Sequence, residues 1–195
     1  MRHSSAGKFG VIVACVAFVV TGVANAADHM FVGATKCATC HKTAAQGEQY
    51  VKWQASKHAK AFATLATAEA KEVGKKLGVA DPQKDAKCLK CHVTGYGAAA
   101  ALHGPKYDPA EGVGCESCHG AGGDYIKKAT MEGLTAGTIT AASVGLVMPD
   151  QKTCEGCHND QSPSFKGFDF EKMVAKIAHP LPAERKAKYE APAAK

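Results

Sequence analysis

Four copies of one five-residue pattern constrain this chain more than any other feature. They are Cys37-Ala-Thr-Cys40-His41, Cys88-Leu-Lys-Cys91-His92, Cys115-Glu-Ser-Cys118-His119 and Cys154-Glu-Gly-Cys157-His158. Cys-x-x-Cys-His is the attachment signature of c-type haem. Two thiols three positions apart reach the two vinyl groups on one edge of a porphyrin and form thioethers. The adjacent histidine then sits under the iron and supplies its proximal nitrogen. Paired Cys-x-x-Cys groups also occur in structural zinc sites, in thioredoxin-like redox pairs and in disulfide frameworks. None of those requires a histidine directly after every pair. Eight of the nine cysteines fall in the pattern, and only Cys15 lies outside it. The pattern therefore predicts four covalently bound haem c groups.

Cys15 belongs to a different segment. Arg2 and Lys8 give a basic start, Val11 to Val20 an apolar run, and Ala24-Asn25-Ala26 a small-x-small cleavage site. Residues 1–26 read as an export signal, which places the mature chain in the periplasm, with the cell surface or the extracellular space as the alternative. The apolar run is too short to span a bilayer. Ile12-Val13-Ala14-Cys15 loosely resembles a lipidation box, but most of the apolar run lies after the cysteine, where such a box needs it before.

Each iron has a second axial position. After the signal, eight histidines remain: four in the motifs, and His29, His58, His103 and His179. The number suffices for bis-histidine ligation at four irons with none to spare. His58 lies in a stretch of helix formers between Tyr50 and Ala63, where Trp53, Ala61 and Leu65 fall near one helical face. His179 ends a stripe of Phe170, Met173, Val174 and Ile177 at helical spacing, with Pro180 as the stop. His103 sits in the loop-forming stretch Leu-His-Gly-Pro-Lys-Tyr, and His29 lies close to the new N-terminus. Met30, Met131, Met148 and Met173 are rival ligands, expected instead to pack against porphyrin.

The motif starts are 51, 27 and 39 residues apart, so no fixed-period repeat exists. Helical patterns cover about residues 43–77 with a break near Gly74, then 124–132 and 168–178, while 93–114 and 133–153 are Gly- and Ala-rich connectors. Strand alternation is almost absent. The expected architecture is mainly α, a small multihaem unit over 27–181 with a mobile tail at 182–195. Removing the signal leaves 169 residues, about 42 per haem, too few to enclose each group conventionally. The haems must form much of the core and touch one another. Aromatic residues make up only 7% of the chain, as expected if porphyrins supply the large flat apolar groups.

Several stretches resemble the cytochrome c-554 family, tetrahaem electron carriers of ammonia-oxidising bacteria. They are Lys36-Cys-Ala-Thr-Cys-His-Lys42, His58-Ala-Lys-Ala61, Cys91-His-Val-Thr-Gly95, Gly112-Val-Gly-Cys-Glu-Ser-Cys-His-Gly120 and the Phe170 to His179 helix. The resemblance implies a mainly helical fold, haems in stacked pairs, periplasmic electron transfer, a hydroxylamine oxidoreductase partner, and one haem without a distal ligand. The chain departs from that family in one respect. A distal histidine is expected shortly after the third motif, and here none occurs between His119 and His158.

The leading functional expectation is a low-potential electron carrier that exchanges electrons with redox proteins, a hydroxylamine-oxidoreductase-like enzyme or other multihaem cytochromes. Two alternatives are a reductase of small nitrogen species at an open iron, and self-association into a cytochrome filament in which His29 ligates a haem of the next subunit. The net charge of +6 is spread along the chain without a basic patch interleaved with aromatics, so nucleic acid is not an expected partner. Without residues 1–26 the chain carries +4, and eight propionates with four ferric porphyrins would bring the holoprotein to about zero when oxidised and about −4 when reduced.

Overall fold

The computed structural model describes residues 29–179 together with Pro182 and Ala183. The export signal expected over 1–26, Cys15 within it and nearly all of the tail expected at 182–195 lie outside the described residues. About half of the described chain is helical, and it contains no strand. Its one trace of β pairing is an isolated bridge between Phe31 and His103. Nine helices follow in order: α1 (Ala34–His41), α2 (Gln49–Ala55), α3 (Ala61–Thr64), α4 (Ala68–Lys76), α5 (Ala86–His92), α6 (Cys115–His119), α7 (Lys128–Ala136), α8 (Gln151–Glu155) and α9 (Phe170–Ile177). None of them is long and apolar enough to cross a membrane.

Capping explains most of the helix starts. The side chains of Thr67, Asp85, Asp150 and Asp169 accept backbone N–H groups at the starts of α4, α5, α8 and α9, and Asp150 with Thr153 forms a reciprocal box. Helix α1 follows Gly33, which has no side chain to cap it, and borrows its cap from far along the chain. Glu111 accepts from Ala34 N at 2.7 Å and Thr35 N at 3.2 Å.

The long helical pattern over 43–77 is broken differently from the sequence expectation. The breaks fall at Ser56–Lys57 and around Ala66, where Thr67 starts a new helix. Gly74 stays helical inside α4. A Cβ there would sit 3.0 Å from Pro82 Cγ, so the glycine serves close packing rather than a stop. Consequently His58 is not on a long helix with Trp53 and Leu65. It opens a 3-10 turn, His58–Lys60, between α2 and α3. The 124–132 pattern also shifts, to α7 at Lys128–Ala136.

The apolar core is thin. Only Ala34, Leu65, Val79, Val93, Ala121 and Tyr125 are buried hydrophobics among the described residues, and no large side chain is fully buried. Val51, Leu77, Met148 and Phe165 stand exposed. A chain of this length normally buries far more of its own apolar surface.

Candidate functional site

All four motifs take the same local shape. In α1, α5 and α6 both cysteines and the histidine lie on one helix. In the fourth motif α8 ends at Glu155, but the helical path continues, because Cys157 N and His158 N both donate to Cys154 O. Residues three and four apart share a helix face. Each motif therefore presents two thiols and an imidazole to one side. No disulfide joins any of these eight cysteines.

The first motif lies against the third and the second against the fourth, and Cys118 of the third also acts on Cys157 of the fourth. The Cys37 thiol meets the Cys115 thiol, and α1 packs on α6. Cys91 lies beside Cys157, and Lys90 Nζ donates to Gln161 Oε1 in the same half. These contacts perturb the thiols. Cys37 is pushed far up by its contact with Cys115 and by burial, while the same contact draws Cys115 down. Burial, followed by Cys91, raises Cys157 to about 12. Burial also raises Cys118.

The histidines sort themselves by geometry. His58 faces His158 with ring centroids 6.0 Å apart, and His119 faces His179 at 5.9 Å. A metal bonded to two ring nitrogens at roughly 2 Å each separates the two centroids by about 6 Å. Both pairs therefore have the spacing that an iron between them demands. Burial lowers the pKa of His58, His119 and His179, with a further push from the facing ring in each case except His119, where His41 adds to it. All three rings are thus held neutral, the form that binds a metal.

Nδ1 contacts fix the tautomers. His41 donates to Gln49 Oε1 at 3.3 Å, His92 to Ala61 O at 2.8 Å and His119 to Val147 O at 3.1 Å. Those oxygens accept only, so each Nδ1 carries the proton and each Nε2 is left to bind an iron. His158 stacks on Phe168 with centroids 4.8 Å apart.

The other two histidines differ. His29 Nδ1 donates to Asp124 Oδ2 at 2.6 Å, again leaving Nε2 as the lone-pair nitrogen. Its ring lies over Gly145, where a Cβ would come within 2.5 Å of it. His103 stacks on Tyr107 with centroids 3.9 Å apart, and its Nε2 faces Gly95 O at 3.4 Å. Among the described residues, no ring faces His41 or His92 as His58 and His179 face their partners. Nor, among the described residues, do three or more His, Cys, Asp or Glu side chains gather into a metal cage.

The chain is 33% identical to cytochrome c-554 of Nitrosomonas europaea over 171 residues, which cover 81% of this chain and 70% of that one. The profile of the family "Cytochrome c554 and c-prime" matches residues 36–120. The chain belongs to the cytochrome c-554 family. It is thus a c-type cytochrome, a protein class that carries covalent haem c and transfers electrons. No solved structure matches it significantly. The profile match spans the first three motifs, and the fourth lies beyond it.

Residues that sequence reasoning passed over hold this site together. Glu116, inside the third motif, accepts from Val32 N, Gly33 N and Gly122 N at 2.8, 2.9 and 2.6 Å. Trp53 Nε1 donates to Val113 O at 2.8 Å, and Val113 N donates to His58 O at 3.0 Å. Gly112 has φ 72, and a Cβ there would stand 2.8 Å from His58 O. Gly112 is thus explained, and Gly114 lies in the same stretch. Their stretch suspends the His58 turn from the approach to the third motif. No local pattern announces Glu116 or Trp53, because their partners are distant in sequence.

Proposed function

We propose that this protein is a periplasmic tetrahaem electron carrier. Cys37/Cys40, Cys88/Cys91, Cys115/Cys118 and Cys154/Cys157 attach the four haems, and His41, His92, His119 and His158 are the proximal ligands. His58 is the distal ligand opposite His158, and His179 is the distal ligand opposite His119. The observation that carries this reading is the pair of imidazole separations, 6.0 and 5.9 Å. The thin core supports it, since large flat cofactors supply the apolar volume that the side chains lack.

When bound, each haem supplies one-electron exchange between ferric and ferrous iron. The chain's own residues set the conditions. Nδ1–H donation to Gln49, Ala61 and Val147 orients the proximal rings and raises their basicity, which favours the ferric state and low potentials. Bis-histidine ligation acts in the same direction relative to Met/His ligation. Exposed lysines steer redox protein partners on encounter; a hydroxylamine-oxidoreductase-like enzyme or another multihaem cytochrome fits that role. Export by residues 1–26 would give the oxidising compartment in which c-type haems are attached.

One observation favours a second reading, reduction of a small nitrogen species at an open iron. His103 is engaged by Tyr107 and by Gly95 O, which leaves three distal histidines for four irons. Both readings meet one test on the purified protein: a haem count by pyridine haemochrome, with quantitative EPR of the ferric form. Four haems, all low-spin, are the result expected of a pure carrier. Four haems with one high-spin iron mean an open coordination position, which the reductase requires and a carrier of this family also allows, so turnover of nitric oxide by the reduced protein then decides between them. Fewer than four haems overturn the tetrahaem reading.

A further inference from the structure

Glu116 is the one buried carboxylate in the described chain, only 4% exposed. It occupies the second position of the third Cys-x-x-Cys-His motif, between the two thiols that hold a haem edge. Its oxygens are filled by three backbone N–H groups, two from the approach to α1 and one from just after α6. These neutral dipoles compensate the charge without cancelling it, and no lysine or arginine pairs with it. Burial leaves little water to screen it. Its field reaches both motifs of this half, since it acts on Cys37 of the first and Cys115 of the third, as well as on Tyr107 and Tyr125.

The other half is built differently. Lys87 opposes Asp85 at Cys88, and Lys90 opposes the neighbouring thiols at Cys157. The acidic groups that act on Cys154, Asp150 and Glu155, lie at the surface and are screened by water and salt.

Resting on the tetrahaem reading above, we infer that Glu116 is a positioning residue that lowers the potentials of the haems on the first and third motifs below those on the second and fourth. A fixed negative charge beside an iron favours the ferric form, because oxidation adds one positive charge there. The chain then has an electrical polarity. Electrons entering it settle on the second and fourth motifs, and the first and third are the last to be reduced. A second device built from the same kind of residue supports this polarity. Glu111, which caps α1, also acts on Cys37 and Cys115.

The test is an NMR-monitored redox titration of the holoprotein, which follows the methyl resonances of each haem separately. In Glu116→Gln, the two haems of the first and third motifs move to higher potential, and the other two stay in place. Glu116→Asp keeps the charge while shortening its reach, so it weakens the fold yet leaves the two potentials low. A purely structural role would move neither potential selectively. Should Glu116→Gln fail to assemble, Glu111→Gln decides the matter with a smaller upward shift confined to the same two haems. Unchanged potentials in the variant that assembles, or an equal shift of all four, overturn the inference. The wild-type haem count is read on the same sample. Fewer than four haems there would count against the tetrahaem reading, whereas four haems without the selective shift count against Glu116 alone.

Discussion

His58 and His179 stand against His29 and His103 as two kinds of histidine in one small chain. The first two face a motif imidazole across about 6 Å, are half-buried and are held neutral by that burial. The other two have found partners within the protein, Asp124 for His29 and Tyr107 with Gly95 for His103. By number all four were spare histidines beside four haem motifs, although only His58 and His179 stood in stretches of helical pattern. What separates them is which ring nitrogen remains available. His29 spends Nδ1 and keeps Nε2, so it remains equipped as a ligand, with a carboxylate to orient it. His103 turns Nε2 towards a carbonyl and has least to offer an iron. His29 is also tied to its own chain through Asp124, and Met30 O accepts from Gly123 N, which favours a role within the subunit over ligation of a neighbour.

The comparison breaks most completely if the haems are withheld. The chain expressed without haem attachment should lose most of its helical far-ultraviolet circular dichroism, because its own buried side chains are too few to hold the fold. A folded apo chain would mean that the paired histidines are held by protein packing alone. Next in size is the loss of one distal ligand. His58→Ala and His179→Ala should each raise the carbon monoxide bound by the reduced protein by one equivalent per chain, whereas His103→Ala should leave it unchanged. Extra carbon monoxide binding in His103→Ala would move His103 into the first group.

His29 sharpens the comparison. His29→Ala should add one carbon monoxide equivalent, and Asp124→Asn should leave the stoichiometry near wild type while raising one potential, since the ring loses its anionic partner. Equal behaviour of His29→Ala and wild type would assign His29 a purely structural contact. The smallest effect is expected at Trp53. Trp53→Phe removes its bond to Val113 O and should cost about 1 kcal/mol in chemical denaturation. Its low-spin EPR signal should broaden at the His58 site with no change in carbon monoxide stoichiometry.

Much of this was legible without coordinates. The four motifs, their shared face and the mainly helical class follow from spacing, since thiols and imidazole three and four positions apart meet on one helical turn. That His58 and His179 were the leading candidates for distal ligation was also legible, but the helix proposed for His58 was wrong. Ser56 and Lys57 end α2, and the turn that follows is held by Val113, more than fifty residues away. A periodic pattern of helix formers says nothing about such a contact.

Sequence alone thus determined what is local: which two thiols and which imidazole share each motif, and that the chain is mainly helical. Tertiary structure decided what depends on distance between remote segments. It faced His58 with His158 and His119 with His179, engaged His103 with Tyr107, and buried Glu116 under three backbone N–H groups. The physical reason is range. A thioether motif is satisfied within five residues, whereas an axial ligand and a buried charge are defined only by what the fold brings opposite them.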